Sequence, residues 1–283
     1  MITATTVPWT PSASRLAALG AEFVKLRTVR ATWTTLLLVV ATSLALAAIV
    51  AAGQLAGWDD MTPAQRADLD PVSASLVGVL FATALVGSLG VRTAAGEYAT
   101  GMIDVTLTAT PRRATVLTAK AVVVAVTVVP VALVSNVLSF LVGQAMFADR
   151  DLDVPISDPA AMRAIAFGTM AVSAVGVLGV ALGGLLRRSV MATSLLSVAI
   201  VGSQLFAVAL PDGARRYLPG LALEAAVSGI GDADLLSPAA GLVTVLAYAA
   251  AAFLAAYLVA HPQDRPRRTT LELRDLRTLF PTR

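Results

Sequence analysis

Residues 164–210 read AIAFGTMAVSAVGVLGVALGGLLRRSVMATSLLSVAIVGSQLFAVAL. Across this stretch the only charges are Arg187 and Arg188, side by side near its middle. A helix rises 1.5 Å per residue, so roughly 20 apolar residues cross the ~30 Å hydrocarbon core of a bilayer. The stretch is too long for one span and fits two, turned sharply at the arginine pair. Four further blocks of the same kind lie outside it, at 31–53, 72–91, 121–148 and 239–260. With 164–186 and 189–210 they make six, and none contains Asp, Glu, Lys or Arg. A charge at mid-span costs about 2.5–3.5 kcal/mol, which accounts for their absence. In lipid each block must close its own backbone hydrogen bonds, so each is expected to be a helix.

Composition agrees. The chain has 283 residues, of which 57% are hydrophobic and 14% charged, and a mean hydropathy of +0.79. A soluble domain carries about 25% charged residues. There is no cysteine and a single histidine, His261, so thiolate chemistry and a His-rich metal site are excluded. The only lysines are Lys25 and Lys120. Residues 1–20 lack the basic start and apolar core of a signal peptide, and 1–13 read as a disordered tail.

Charge position sets the expected orientation. With the N-terminus inside, the inner segments hold 16 of the 21 basic residues, and the outer loops hold Arg66, Arg150, Arg163, Arg215 and Arg216. Acids divide the other way, with 12 of 18 outside. The calculated pI of about 9.7 is therefore a topology signal and not a nucleic-acid footprint. Both termini are expected in the cytoplasm. The outer segment 211–238 contains a mostly apolar stretch, 218–230, too short to span, which suits an interfacial or re-entrant helix.

Two cytoplasmic segments carry more information. In 14–30, ahead of the first span, Leu16, Leu19, Phe23 and Leu26 recur at three- and four-residue steps, with Arg15, Glu22, Lys25 and Arg27 off the stripe. That is an amphipathic helix, either a positive-inside flank or an elbow lying in the interface beside Arg30 and Trp33. The second segment, 92–120, contains Glu97-Tyr98-Ala99-Thr100-Gly101, then Pro111-Arg112-Arg113 and Lys120. A carboxylate at the end of a span, such as Glu97, needs a partner or water. Gly101 permits a sharp turn, Pro111 ends any preceding helix, and the arginines offer forks for acidic groups. The segment is either a solvated loop or a short peg that inserts into another protein.

Within the spans, Ser135, Asn136, Ser139 and Gln144 in the third and Ser203 and Gln204 in the fifth are polar, and Pro130 interrupts the third. They suit interhelical hydrogen bonding. Asn136, Ser139 and Gln204 are alternatively candidates for lining a weakly polar path. Gly176, Gly179, Gly183 and Gly184 suit close helix packing. Tyr257 and His261 suit an interfacial anchor, and 261–283 a cytoplasmic tail that is either a short helix or frayed.

The sequence 22–33, EFVKLRTVRATW, resembles the start of type-2 ABC-exporter permeases, particularly actinobacterial ones, and so does the motif Glu97 to Gly101 with Pro111, Arg112, Arg113 and Lys120. The resemblance covers nearly the whole layout; it departs in having Trp33 alone where the family often has two aromatics. It implies an all-α integral membrane protein of a bacterial plasma membrane, forming a single transmembrane domain. That domain would have six transmembrane helices, an N-terminal elbow helix (Lys25, Arg27, Arg30, Trp33), a cytoplasmic coupling helix and a re-entrant extracellular element before helix six. Glu97, Tyr98, Gly101, Pro111, Arg112, Arg113 and Lys120 would then form the joint to an ATP-binding-cassette ATPase subunit. The chain has no phosphate-binding Gly-x-x-x-x-Gly-Lys-Ser/Thr loop, so no cofactor is expected on it and ATP and Mg belong to the partner. The resemblance also implies a second permease copy, identical or related, contact with membrane lipids, and export of an amphipathic drug, natural product, peptide or lipid. A secondary transporter would call for charged residues within the spans or broken helices. A membrane sensor or scaffold could keep the same layout.

Overall fold

The computed structural model describes residues 15–110, 112–230 and 234–261; the expected N-terminal tail, most of the C-terminal tail and Pro111 lie outside them. All regular structure among the described residues is helical. In chain order the α-helices are α1 (Arg15–Thr28), α2 (Arg30–Ala56), α3 (Pro63–Ala67), α4 (Pro71–Ser75), α5 (Gly78–Ala99), α6 (Met102–Ala109) and α7 (Arg113–Phe147). They continue with α8 (Pro159–Leu186), α9 (Ser189–Ile200), α10 (Gly202–Phe206), α11 (Asp212–Arg215), α12 (Pro219–Val227) and α13 (Pro238–Ala260).

Among the described residues, five helices are long and apolar enough to cross a membrane: α2, α4 with α5, α7, α8 and α13. A sixth span exists if Ser189–Ile200 and Gly202–Ala209, bent by 47° at Val201, count as one. The fifth block is thus not the straight helix that its composition suggests. Span limits also differ from the hydropathy blocks. The second runs on to Ala99, so Arg92 and Glu97 lie on a helix, and the third starts at Arg113, which puts Lys120 two turns inside α7. Hydropathy ends a span at its first charge, whereas the helix continues while its backbone bonds are made. Helix α7 runs through Pro130 without interruption.

One end of the bundle collects the basic segments and the other the acidic loops. At the acidic end three spans start in the same way. Asp70, Asp158 and Ser237 accept hydrogen bonds from the first-turn amides of α4, α8 and α13, and a proline follows each. The cap satisfies amides left open at a helix start, and proline at the first position loses no bond there.

The centre of the bundle is α5 against α8. Two-thirds of each span's apolar window is buried, against 28% for α2 and 22% for α13. Glycines set the distance between them. A Cβ on Gly90 would lie 2.1 Å from the Gly176 carbonyl oxygen, and one on Gly179 would lie 2.1 Å from that of Gly87. The two backbones therefore touch, as small residues allow in lipid.

Helix α12, nine residues long, is nearly all buried, mainly against α13 and α8. Its Gly220 amide donates to Ser203 Oγ at 2.8 Å, and that hydroxyl donates to the Ile200 carbonyl at 2.6 Å, near the bend between α9 and α10. The turn after α12 is held from both sides. Asp70 Oδ2 accepts from the amides of Gly229 (2.7 Å) and Ile230 (3.2 Å). Arg163 Nη2 donates to the carbonyls of Ser228 and Gly229 at 3.2 and 3.3 Å.

Candidate functional site

Four helices meet at the basic end. Helix α5 stops at Ala99, and Gly101 turns the chain with φ +71°, a left-handed conformation that suits glycine. Helix α6 follows for eight residues with none buried. Thr110 is extended, as the residue before a proline prefers, and Arg112, also extended, precedes α7 without a side-chain cap. Ile103 and Leu107 of α6 face a small cavity lined also by Tyr98, Leu117 and Arg187. Met102, Asp104 and Val105 stay exposed. The Arg187 guanidinium lies over the Tyr98 ring, 5.4 Å from its centroid.

Helix α1 joins this end through charge. Lys120 Nζ of α7 donates to Glu22 Oε2 of α1 and to Glu97 Oε1 of α5, both at 2.7 Å. Lys25 Nζ donates to Glu22 Oε1 at 2.9 Å, to Glu97 Oε1 at 2.8 Å and to Thr106 Oγ1 of α6 at 3.2 Å. Two carboxylates and two ammoniums form a closed, neutral set that ties α1, α5, α6 and α7. Glu22, Glu97 and Lys120 are buried, and Lys25 is part-exposed. Burial of the Lys25 ammonium favours its neutral form, but its bonds to Glu97 and Glu22 outweigh that and raise its pKa above 10.5. Glu97 Oε2 is buried without a partner.

The break between α1 and α2 falls at Val29. Trp33 Nε1 donates to the Arg27 carbonyl at 2.8 Å and fixes the angle there. The face of α1 turned to the bundle keeps Leu19 and Leu26 of the apolar stripe but not the rest of it. Leu16 and Phe23 are exposed, while Ala18, Glu22 and Leu26, four residues apart, are buried. Periodicity of apolar residues could not reveal that a glutamate faces inward toward a lysine 98 residues away.

Of the residues singled out in sequence, Lys25, Glu97 and Lys120 come together, and Tyr98 lies at the same end against Arg187. Arg27, Arg30 and Arg112 are exposed there, and Arg113 borders the cavity under α6. Glu22 and Thr106 were not singled out; the signal for Glu22 was its spacing of three from Lys25. Asn136, Ser139 and Gln204 have separate surroundings. Asn136 Nδ2 donates to Thr169 Oγ1 at 3.2 Å between α7 and α8. Ser139 Oγ is buried without a partner, and Gln204 Nε2 donates to Glu224 Oε2 at 3.0 Å at the acidic end. Gln144 acts as a fastener, donating to the Pro71 carbonyl (3.0 Å) and Ser75 Oγ (2.9 Å) and accepting from the Val154 amide (2.7 Å).

The arrangement offers no catalytic set. It is a joint: breaking one partner from such a set leaves a buried charge unpaired, which costs far more than the pair contributes. Helices α1, α5 and α7 are therefore coupled, with α6 attached through Thr106.

No curated protein and no solved structure matches the chain. Among protein families, residues 18–207 match the ABC-2 family transporter proteins. That match runs from within α1 into the second half of the bent pair and includes every residue of the charged joint. The chain is a multi-pass membrane protein belonging to the ABC-2 transporter family, an ABC-2 type permease.

Proposed function

We propose that this permease is the membrane subunit of an ATP-driven exporter and that α6 is the coupling helix through which a separate ATP-binding-cassette ATPase acts on it. The observation that carries the reading is the joint of Glu22, Lys25, Glu97 and Lys120, with Thr106 of α6 bonded to it. Helix α6 presents Met102 and Val105 outward, 49% and 69% exposed. These apolar groups on a short, lightly held helix suit a docking cleft. Displacement of α6 would pull on Lys25 and so on α1, the elbow, and on α7. The Gly101 turn supplies a pivot.

The basic end lies in the cytoplasm in this reading, as the positive-inside bias requires. Two copies, identical or related, form the pathway, and ATP and Mg are held by the partner. Helix α12 is the re-entrant element, tied by Asp70 and Arg163. The polar groups in the third span, such as Asn136 and Ser139, are uncharged, which favours an amphipathic cargo over an ion.

The test is purification of the tagged full-length chain from its native membranes. An ABC ATPase is expected to accompany it. Val105→Glu on the exposed face of α6 should release that ATPase and stop ATP-dependent transport in liposomes while thermal unfolding stays unchanged. Retained ATPase and transport in Val105→Glu would overturn the coupling role of α6. Transport that persists with an inactive ATPase would overturn the ATP-driven reading.

A further inference from the structure

Beneath the α1–α2 break lies a cavity of about 450 Å³. Its walls are Leu26, Val29, Leu89 and Met102, with Lys25 and Arg92 among its charged groups. The joint also borders it, but Glu22, Glu97 and Lys120 are only 4%, 8% and 3% exposed. Lys25 also borders it, but its three N–H groups go to Glu22, Glu97 and Thr106 within the neutral joint. The charge open to an occupant is therefore that of Arg92, which is exposed. Arg92 Nη2 donates to Thr35 Oγ1 at 2.7 Å, which holds one arm of the guanidinium and leaves the rest of the fork to an anionic oxygen.

A second crevice, about 480 Å³, shares Leu26 and Thr32 with this cavity. It is lined by Phe23, Trp33, Leu36, Val126 and Pro130. Along α7, Pro130 lies ten residues beyond Lys120, about 15 Å down the axis. That is the depth of one leaflet, half of the roughly 30 Å hydrocarbon core. The cavity, which reaches Lys120, and the crevice, which reaches Pro130, together cover that depth at the basic end of the bundle.

We infer that the paired cavities form a binding site for one anionic glycerophospholipid, with its phosphate on the Arg92 fork and an acyl chain in the crevice down to Pro130. The site takes a phosphodiester with a neutral head, of the phosphatidylglycerol class, in preference to a zwitterionic one, because a quaternary ammonium would meet Arg92. It is independent of the ATPase reading. Its occupant would touch α1, α2, α5 and α7 at once and hold the α1–α2 break at a fixed angle.

The test uses the full-length chain in neutral detergent, titrated with phosphatidylglycerol, phosphatidylcholine or inorganic phosphate, with binding read by native mass spectrometry and by the thermal midpoint. Phosphatidylglycerol is expected to bind at least tenfold more tightly than phosphatidylcholine, and inorganic phosphate to leave the midpoint unchanged. Arg92→Gln should weaken phosphatidylglycerol at least tenfold, and Arg188→Gln, at the same end but outside the cavity, should not. Val126→Trp, filling the crevice from an exposed position, should weaken long-chain phosphatidylglycerol while sparing a short-chain form. Equal binding of the two lipids, or equal effects of Arg92→Gln and Arg188→Gln, would overturn the site as a general basic-surface effect. Phosphate stabilising as well as lipid would overturn the crevice as part of it.

Discussion

Lys120 Nζ lies 2.7 Å from Glu97 Oε1, across two helices and with both residues buried. Removing the lysine leaves Glu22 and Glu97 facing each other with only Lys25 between them. Lys120→Met is expected to destabilise the chain by about 3–5 kcal/mol, the range for breaking a buried pair from one side. Lys25→Met should cost about 1 kcal/mol or less, because its ammonium is part-exposed and screened. Chemical denaturation in detergent measures both. A larger loss for Lys25 than for Lys120 would contradict the geometry of the joint.

Lys25 also gives the joint an alkaline limit. Its pKa is raised in the folded chain, so its stabilisation is complete below the ordinary value of 10.5 and is lost as the pH rises through the folded value. The thermal midpoint of Lys25→Met should therefore lie below that of the parent at pH 8, and the gap should close above pH 10.5. A gap that widens with pH would reverse the sign and reject the assignment.

The glycine seam makes a sharp contrast. Gly90→Ala or Gly179→Ala would drive a methyl group to 2.1 Å from a backbone carbonyl oxygen. Neither helix can yield without opening α5 from α8, so a loss of about 1–3 kcal/mol or more is expected. Gly53 in α2 has nothing within 4 Å of a Cβ, and Gly53→Ala should stabilise by about 0.5–1 kcal/mol. Thermal unfolding of the three variants side by side decides it.

At the acidic end Asp70 does two jobs, capping α4 through Oδ1 and holding Gly229 and Ile230 through Oδ2. Asp70→Ala should cost about 1–2 kcal/mol from the cap and speed amide exchange at Gly229 and Ile230. Asp158→Ala, which removes a similar cap from α8, should leave those two amides unchanged. Hydrogen exchange read by mass spectrometry separates the two roles.

Much of the bundle could be read in the sequence because the bilayer imposes one rule at a time. Length and the lack of charge marked the spans; the Asp-Pro and Ser-Pro caps that start three of them came only with the structure. The bend at Val201 left no trace, since hydropathy averages composition and carries no direction. Glu97 was legible as a carboxylate in need of a partner. The partners were not, because Lys120 and Glu22 come from helices 23 and 75 residues away in sequence, and only packing brings them together. Glu22 was legible only as a residue off the apolar stripe of α1; that it turns inward to Lys120 while Leu16 and Phe23 are exposed depends on packing.

Both lysines of the chain are spent on one joint. Amine-directed chemistry therefore has only two side chains to find, one with 36% of its side chain open and the other with 4%. An acylating reagent would mark Lys25 in the closed joint and reach Lys120 only when α1 lifts from α7. The protein carries its own reporter for that motion, with no engineered label required.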